Sequence, residues 1–233
     1  MGTRSENIVA NQIYHICNRS TEGIDIFKDA VDAQRFLDAL FCANSKNPRT
    51  LSDFTRMSKK LLSELEQSLE PLVEIYAIVL MPNHFHICAR SLIDDGISIW
   101  LQRACNSHAR YFNLKNNRKG SLFMGRYQSI LVEDDRQFSH ILVYIHANAL
   151  DLVMPQWRDG TITRWQDAAA FLRNYRWSSY GLYEIGGEIA PEIKRLVSPK
   201  FPSEILASFG GLESSIKEWG ARNFMESRNI FLE

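Results

Sequence analysis

The chain has 233 residues, 27 Lys plus Arg against 27 Asp plus Glu, and 45% hydrophobic content. That suits one sizeable globular domain with an appendage, and the even charge counts against a protein that is basic throughout. Any nucleic-acid contact must come from a local cationic surface. No apolar run approaches bilayer length, the start Met1-Gly2-Thr3-Arg4-Ser5-Glu6-Asn7 lacks the apolar core of a signal peptide, and four cysteines without C-x-x-C spacing read as reduced thiols. A cytoplasmic location, with no membrane partner, is the expectation.

Residues 12–19, Gln12-Ile13-Tyr14-His15-Ile16-Cys17-Asn18-Arg19, alternate and predict a first strand. A polar turn with Gly23 follows. Asp29 is placed to cap a helix with Phe36, Leu37, Leu40 and Phe41 at helical spacing. Residues 44–50 read as a loop and 51–69 as a second, richly charged helix. The β-branched and aromatic run 73–80 predicts a buried strand, broken by Pro82-Asn83. A further strand runs from His84 to near Arg90, and Asp94-Asp95-Gly96 punctuates before an amphipathic helix over about 97–115. After the basic turn Asn116-Asn117-Arg118-Lys119-Gly120 come a strand at 127–132 and a helix opened by Glu133-Asp134-Asp135. The tail from Pro202 predicts two helices split at Gly210-Gly211. This order predicts an α+β fold, an antiparallel sheet of the split βαβ kind with helices on one face.

Two constellations carry chemistry. His84 and His86 lie two apart on a strand, so their imidazoles share one face, and neutral imidazole is the commonest protein ligand for a divalent metal. Two half-buried histidines bonded to backbone are the bland alternative. About sixty residues on, His140, Tyr144 and Asn148 lie four apart on one face of a helix. There the alternative is a polar stripe or a core tyrosine. Together, two imidazoles and an amide oxygen can hold Mg²⁺ or Mn²⁺, with a phenol one turn away to attack a phosphate.

Five stretches then carry a resemblance: Tyr14-His15-Ile16-Cys17-Asn18-Arg19, Leu80-Met81-Pro82-Asn83-His84-Phe85-His86, Gly125-Arg126-Tyr127-Gln128-Ser129, Tyr144-Ile145-His146-Ala147-Asn148 and Arg176-Trp177-Ser178-Ser179-Tyr180. In this order they resemble the single-tyrosine HUH transposases, in particular the REP-associated tyrosine transposases. The resemblance covers roughly residues 12–182. It implies a ferredoxin-like core, single-stranded DNA substrates with hairpins, and a divalent metal. It further implies His84, His86 and Asn148 as metal ligands and Tyr144 as nucleophile. His140 is the candidate proton acceptor, ahead of His146. Where the family has Pro-Val after the metal-site Asn, this chain has Ala149-Leu150, which predicts a later helix end. The expected organisation is a catalytic domain over 1–182, with an inserted helical segment at about 44–70, and a helical C-terminal extension over 183–233.

From Gly96 to Val132 the chain carries Arg103, Arg110, Lys115, Arg118, Lys119 and Arg126 and no acid, interleaved with Tyr111, Phe112, Phe123 and Tyr127. Cations track phosphates while aromatic faces stack unpaired bases. Arg118, Lys119 and Arg126 are the first DNA-binding candidates, with Arg110 beside them and Asn18 and Arg19 as a second group. The leading reading is metal-dependent cleavage and rejoining of single-stranded DNA through a 5′-phosphotyrosine. The alternatives are a hairpin-binding protein that no longer transposes, and a hydrolytic metallophosphoesterase. A homodimer in which one chain's Tyr144 serves the other's metal is also open.

Overall fold

The computed structural model describes residues 7–57, 70–159, 162, 164–184 and 189–219. Strand β1 (Ile13–Arg19) leads through a single 3₁₀ turn to α1 (Ala30–Ala43), capped as expected, with the Asp29 carboxylate accepting from Asp32 N–H. A short α2 (Leu51–Thr55) follows. The rest of the expected second helix, 58–69, lies outside the described residues. Strands β2 (Val73–Met81) and β3 (His84–Ser91) form a hairpin across Pro82-Asn83. Next come α3 (Gly96–Lys115), β4 (Gln128–Leu131), α4 (Asp135–Ala147) and α5 (Trp165–Asn174). The described C-terminal part forms α6 (Pro191–Leu196), α7 (Lys200–Ser208) and α8 (Leu212–Trp219), the last two split at the glycine pair.

The sheet order is β2-β3-β1-β4, antiparallel throughout. This is the α+β split βαβ arrangement expected from the element order. Gly96 is required at the start of α3, because a Cβ there would lie 2.6 Å from Leu72 O and 2.8 Å from Ser91 Oγ. Helix α4 ends at Ala147 and tightens into a 3₁₀ turn over Asn148–Leu152, so the chain past Asn148 stays helical without continuing as α.

One expectation is corrected: helices cover both faces of the sheet. Tyr14, Ile16, Ile78, Leu80, Phe85 and Ile87 pack with residues of α1 and α3, including Phe36 and Trp100. Tyr76, Val79, Met81 and Cys88 pack with α4, and with Leu172, Leu206, Leu212 and Ile216 from the later helices. The near-continuous apolar run of β2 reflects this cover, since a strand buried on both sides has no polar face to alternate with. A bulge at Tyr76 lets both Tyr76 and Ala77 face the α4 side. Among the described residues no helix is long and apolar enough to cross a membrane.

Candidate active site

The site forms where alternate residues of β1 and β3 face α4. In β3, Phe85, Ile87 and Ala89 enter the α1–α3 core, so His84, His86 and Cys88 point the other way. The register sets Cys17 opposite His86 and Arg19 opposite His84 on β1. The hairpin turn that presents His84 is pinned from outside: Pro82 O accepts from Ile26 N (2.7 Å) and Phe27 N (3.1 Å), and Asn83 O accepts from Ser20 N (2.8 Å).

His84 Nδ1 lies 2.7 Å from Asn83 Oδ1. That oxygen only accepts, so Nδ1 carries the proton and Nε2 keeps a lone pair. Nε2 is buried and has no hydrogen-bond partner. His86 is fully buried, with Nδ1 3.1 Å from His15 Nε2 and Nε2 3.9 Å from Cys17 Sγ. When Nδ1 is the donor, Nε2 is the acceptor and its lone pair faces the Cys17 thiol. Burial pushes His84 down to about 4, helped by the charges of Arg19 and Arg158, and holds His86 well below the usual histidine range. Both are neutral at pH 7, the state a metal ligand requires. Among the described residues no three His, Cys, Asp or Glu side chains group to hold a metal. A metal held by His84 and His86 would need a ligand of another kind, such as an amide.

That amide is at hand. Asn148, fully buried at the end of α4, donates from Nδ2 to Tyr144 O (2.7 Å) and accepts at Oδ1 from Arg158 Nη2 (2.9 Å). An amide oxygen has two lone pairs, so the Arg158 bond leaves one for a metal. Tautomer, neutrality and the amide together fit a Mg²⁺ or Mn²⁺ site. The Tyr144 ring stands edge-on to His86 (5.4 Å between centroids) and to His15 (5.7 Å). Trp157 lies at 6.5 Å and the Arg158 guanidinium at 5.7 Å from it, and Tyr144 is fully buried. His140, one turn before Tyr144, is half-buried, and burial lowers its pKa. His146 belongs to a buried link between α4 and the β2 edge, with Nδ1 2.7 Å from Leu142 O and Nε2 2.8 Å from Ser179 Oγ.

The DNA candidates divide. Asn18 and Arg19 are neighbours on a strand and so face opposite sides. Exposed Arg19 stands beside His84, while Asn18 lines a cavity of about 590 Å³ on the α3 side with Ser98, Gln102, Arg126 and Tyr127. Arg110, Lys119 and Arg126 are exposed, and Arg118 is tied to Asn113 Oδ1 (3.1 Å). The stretch is acid-free in sequence but not in space, because Lys115 pairs with Asp29 (2.7 Å) and Asp32 (2.6 Å) of α1.

Sequence reasoning assigned no role to His15 or Arg158. Strand parity places His15 on the His86 face once β1 is known to neighbour β3. Arg158 carries no such signal, since it arrives through a turn beyond the helix.

The family model described as Transposase IS200 like matches residues 9–148, more than half of the chain. A solved structure, described as a REP-associated tyrosine transposase bound to a REP hairpin, is similar at 14% identity and a TM-score of 0.44, covering 82% of this chain and 99% of that one. No curated protein matches. On the family match, the chain belongs to the IS200-like transposases.

Proposed function

We propose that this protein cleaves and rejoins single-stranded DNA beside a hairpin, with Tyr144 as the nucleophile and a 5′-phosphotyrosine as the intermediate. The observation that carries this reading is the abutment of Tyr144 on paired histidines, one of which offers a buried lone pair with no partner. His84 and His86 through Nε2, with Asn148 through Oδ1, would hold Mg²⁺ or Mn²⁺, which when bound polarises the phosphoryl oxygen. Tyr144 Oη attacks phosphorus, the Oη–P bond forms, and the bond to the 3′ oxygen breaks to leave a 3′-hydroxyl. His140, neutral at pH 7, is the proposed acceptor of the phenol proton. His146 is not, because both of its ring nitrogens are engaged. Rejoining reverses the attack, with the ester energy kept in the covalent bond. Tyr144 meets His86 within one chain, which favours action on its own site over a homodimer acting in trans. Residues 1–182 are taken as the catalytic unit and 183–233 as an extension, whose described helices pack on both sides of it.

The complete burial of Tyr144 favours a second reading, a hairpin-binding protein that does not cut. One experiment separates the two. Labelled single-stranded hairpin DNA and Mn²⁺ are incubated with the wild type and with Tyr144→Phe, and a denaturation-resistant adduct is sought. The adduct is expected only in the wild type, with DNA affinity and Tm retained in the variant. Binding without cleavage in both proteins supports the second reading, and cleavage without adduct in both identifies water as the attacker.

A further inference from the structure

Tyr144, His86 and Asn148 are all fully buried, so a phosphodiester that reaches them must pass whatever lies over them. Among the described residues, Arg158 lies against both Tyr144 and Asn148. Its Nε donates to Asp151 Oδ1 (2.9 Å), and its Nη2 donates to Asp151 Oδ2 (2.7 Å) and to Asn148 Oδ1 (2.9 Å). The guanidinium also lies 5.7 Å from the Tyr144 ring and 5.0 Å from the Trp157 ring. Trp157 Nε1 in turn donates to Asp151 Oδ1 (2.7 Å), so one carboxylate fixes both the cation and the ring it lies against. The Arg158 side chain retains 24% exposure, and the salt bridge does not enclose it.

We propose that Arg158 is a catalytic residue of this site: it receives the scissile phosphate, hands Tyr144 to it, and stabilises the charge of attack. The inference rests on the Tyr144 reading above. Without DNA, the guanidinium lies against the Tyr144 ring and donates to the neutral Asn148 amide as well as to Asp151. An anionic phosphate is a stronger acceptor than a neutral amide for the same planar donors, so it draws the guanidinium away from Asn148 and the Tyr144 ring while Asp151 keeps the group aimed. The exchange uncovers the Tyr144 side chain and releases the Asn148 oxygen in one movement. As Oη bonds to phosphorus and the bond to the 3′ oxygen breaks, that oxygen taking a proton from solvent water, charge gathers on the non-bridging oxygens. A pre-aimed cation acts there without reorganising. Arg158 remains charged at every working pH, so no proton is gained or lost by it.

Adduct formation is measured in a single turnover at saturating hairpin DNA and Mn²⁺, with DNA and Mn²⁺ affinities measured in parallel. Arg158→Met is expected to slow the adduct step by about 100- to 1,000-fold, with both affinities within about threefold of wild type. Added guanidinium is expected to restore part of the rate in Arg158→Ala. Arg158→Lys keeps the charge but cannot serve Asp151 and a phosphate bidentately, so it is expected to fall at least about tenfold below wild type. If Arg158→Met does not fold, Arg158→Lys decides. A wild-type rate in the folded variant overturns the proposal, as does a loss confined to DNA affinity. Adduct persisting in Tyr144→Phe, or none in the wild type, brings down the nucleophile assignment and this inference with it. Adduct in the wild type alone, with Arg158→Met at full speed, brings down only the role of Arg158.

Discussion

The two faces of this sheet are built from alternate residues of the same strands, yet they bury polar groups in different ways. On the α1–α3 face, His108 sits within an aromatic cage of Phe27, Phe36 and Phe112, its Nε2 3.0 Å from Ile26 O and its Nδ1 without a partner. On the α4 face, His84 also buries an unpartnered nitrogen, but it begins a chain of contacts that runs through His86 to His15 and Tyr144, and from Tyr144 through Arg158 to the Asn148 amide. An orphaned ring nitrogen is thus not by itself a site. Convergence of groups that can share one ligand is what separates a functional face from a structural one.

The sharpest way to break that comparison uses two neighbours in β3. Phe85 faces α1, fully buried against Phe36 (5.1 Å) and Phe123 (6.3 Å), so Phe85→Ala is expected to cost about 3–5 kcal/mol and to lower Tm by about 10 °C or more. His84, half-buried beside the turn, is expected to behave in the opposite manner. His84→Ala should abolish the adduct and weaken Mn²⁺ binding while moving Tm by less than about 3 °C, an effect below about 1 kcal/mol. Calorimetry and Mn²⁺ titration on both variants decide it, and a His84→Ala protein as unstable as Phe85→Ala would make His84 a core residue. His86→Ala belongs between them. Its full burial and its link to His15 add a stability cost of about 1–3 kcal/mol to the loss of a ligand.

What was legible in the sequence follows from local periodicity. The parity of β3 put His84 and His86 on one face, and the spacing of α4 put Tyr144 one turn from Asn148. Asp29 announced the start of α1 by its cap. What was hidden depends on tertiary neighbours. The pairing of Lys115 with Asp29 and Asp32 joins residues more than eighty positions apart, so no window around the basic stretch could show it. Cover on the second sheet face comes largely from α4 and from helices beyond residue 164. Arg158 reaches Tyr144 only because the chain folds back through 3₁₀ turns after α4, a path set by Asp151 and Trp157 rather than by any repeat.

The cationic surface on the α3 side gives a smaller effect, and the structure changes which charges to remove. Lys115 is already neutralised by two carboxylates and Arg118 is bonded to Asn113, whereas Arg110, Lys119 and Arg126 are exposed. Each contact with a single strand contributes about 0.7 to the slope of log K against log salt. Replacing Arg110, Lys119 and Arg126 by Gln should therefore flatten the slope by about 2 and weaken binding about 100-fold at 0.1 M salt. Lys115→Gln should leave the slope as it is and lower Tm instead. Fluorescence anisotropy across a salt series tests both. An unaltered slope in the triple variant would move the DNA path to the Arg19 side of the sheet.

The last contrast concerns acid. Burial lowers His108 to about 4, with Arg35 and Lys115 acting in the same direction and Ile26 O and Asp32 against it. In the unfolded chain the same group titrates near 6.5. Its folded value is depressed, so between these limits the unfolded state binds more protons, and stability must rise with pH. The contribution is full above about 6.5 and is lost as pH falls toward about 4, a span of about 3 kcal/mol, of which about 2 kcal/mol is gone by pH 4.5. His108→Gln keeps a donor for Ile26 O but cannot be protonated. Its fall in Tm between pH 7 and 4.5 should therefore be smaller than that of the wild type by roughly 4–8 °C. The acid sensitivity that remains in this variant then includes that of the other neutral imidazoles, His15, His84, His86, His140 and His146, all of which burial lowers. A metal that binds their neutral forms should steepen that remainder, since protons compete for the same lone pairs, but leave the His108 difference unmoved. If His108→Gln loses as much as the wild type, the aromatic cage does not hold His108 neutral, and the acid response arises on the α4 face alone.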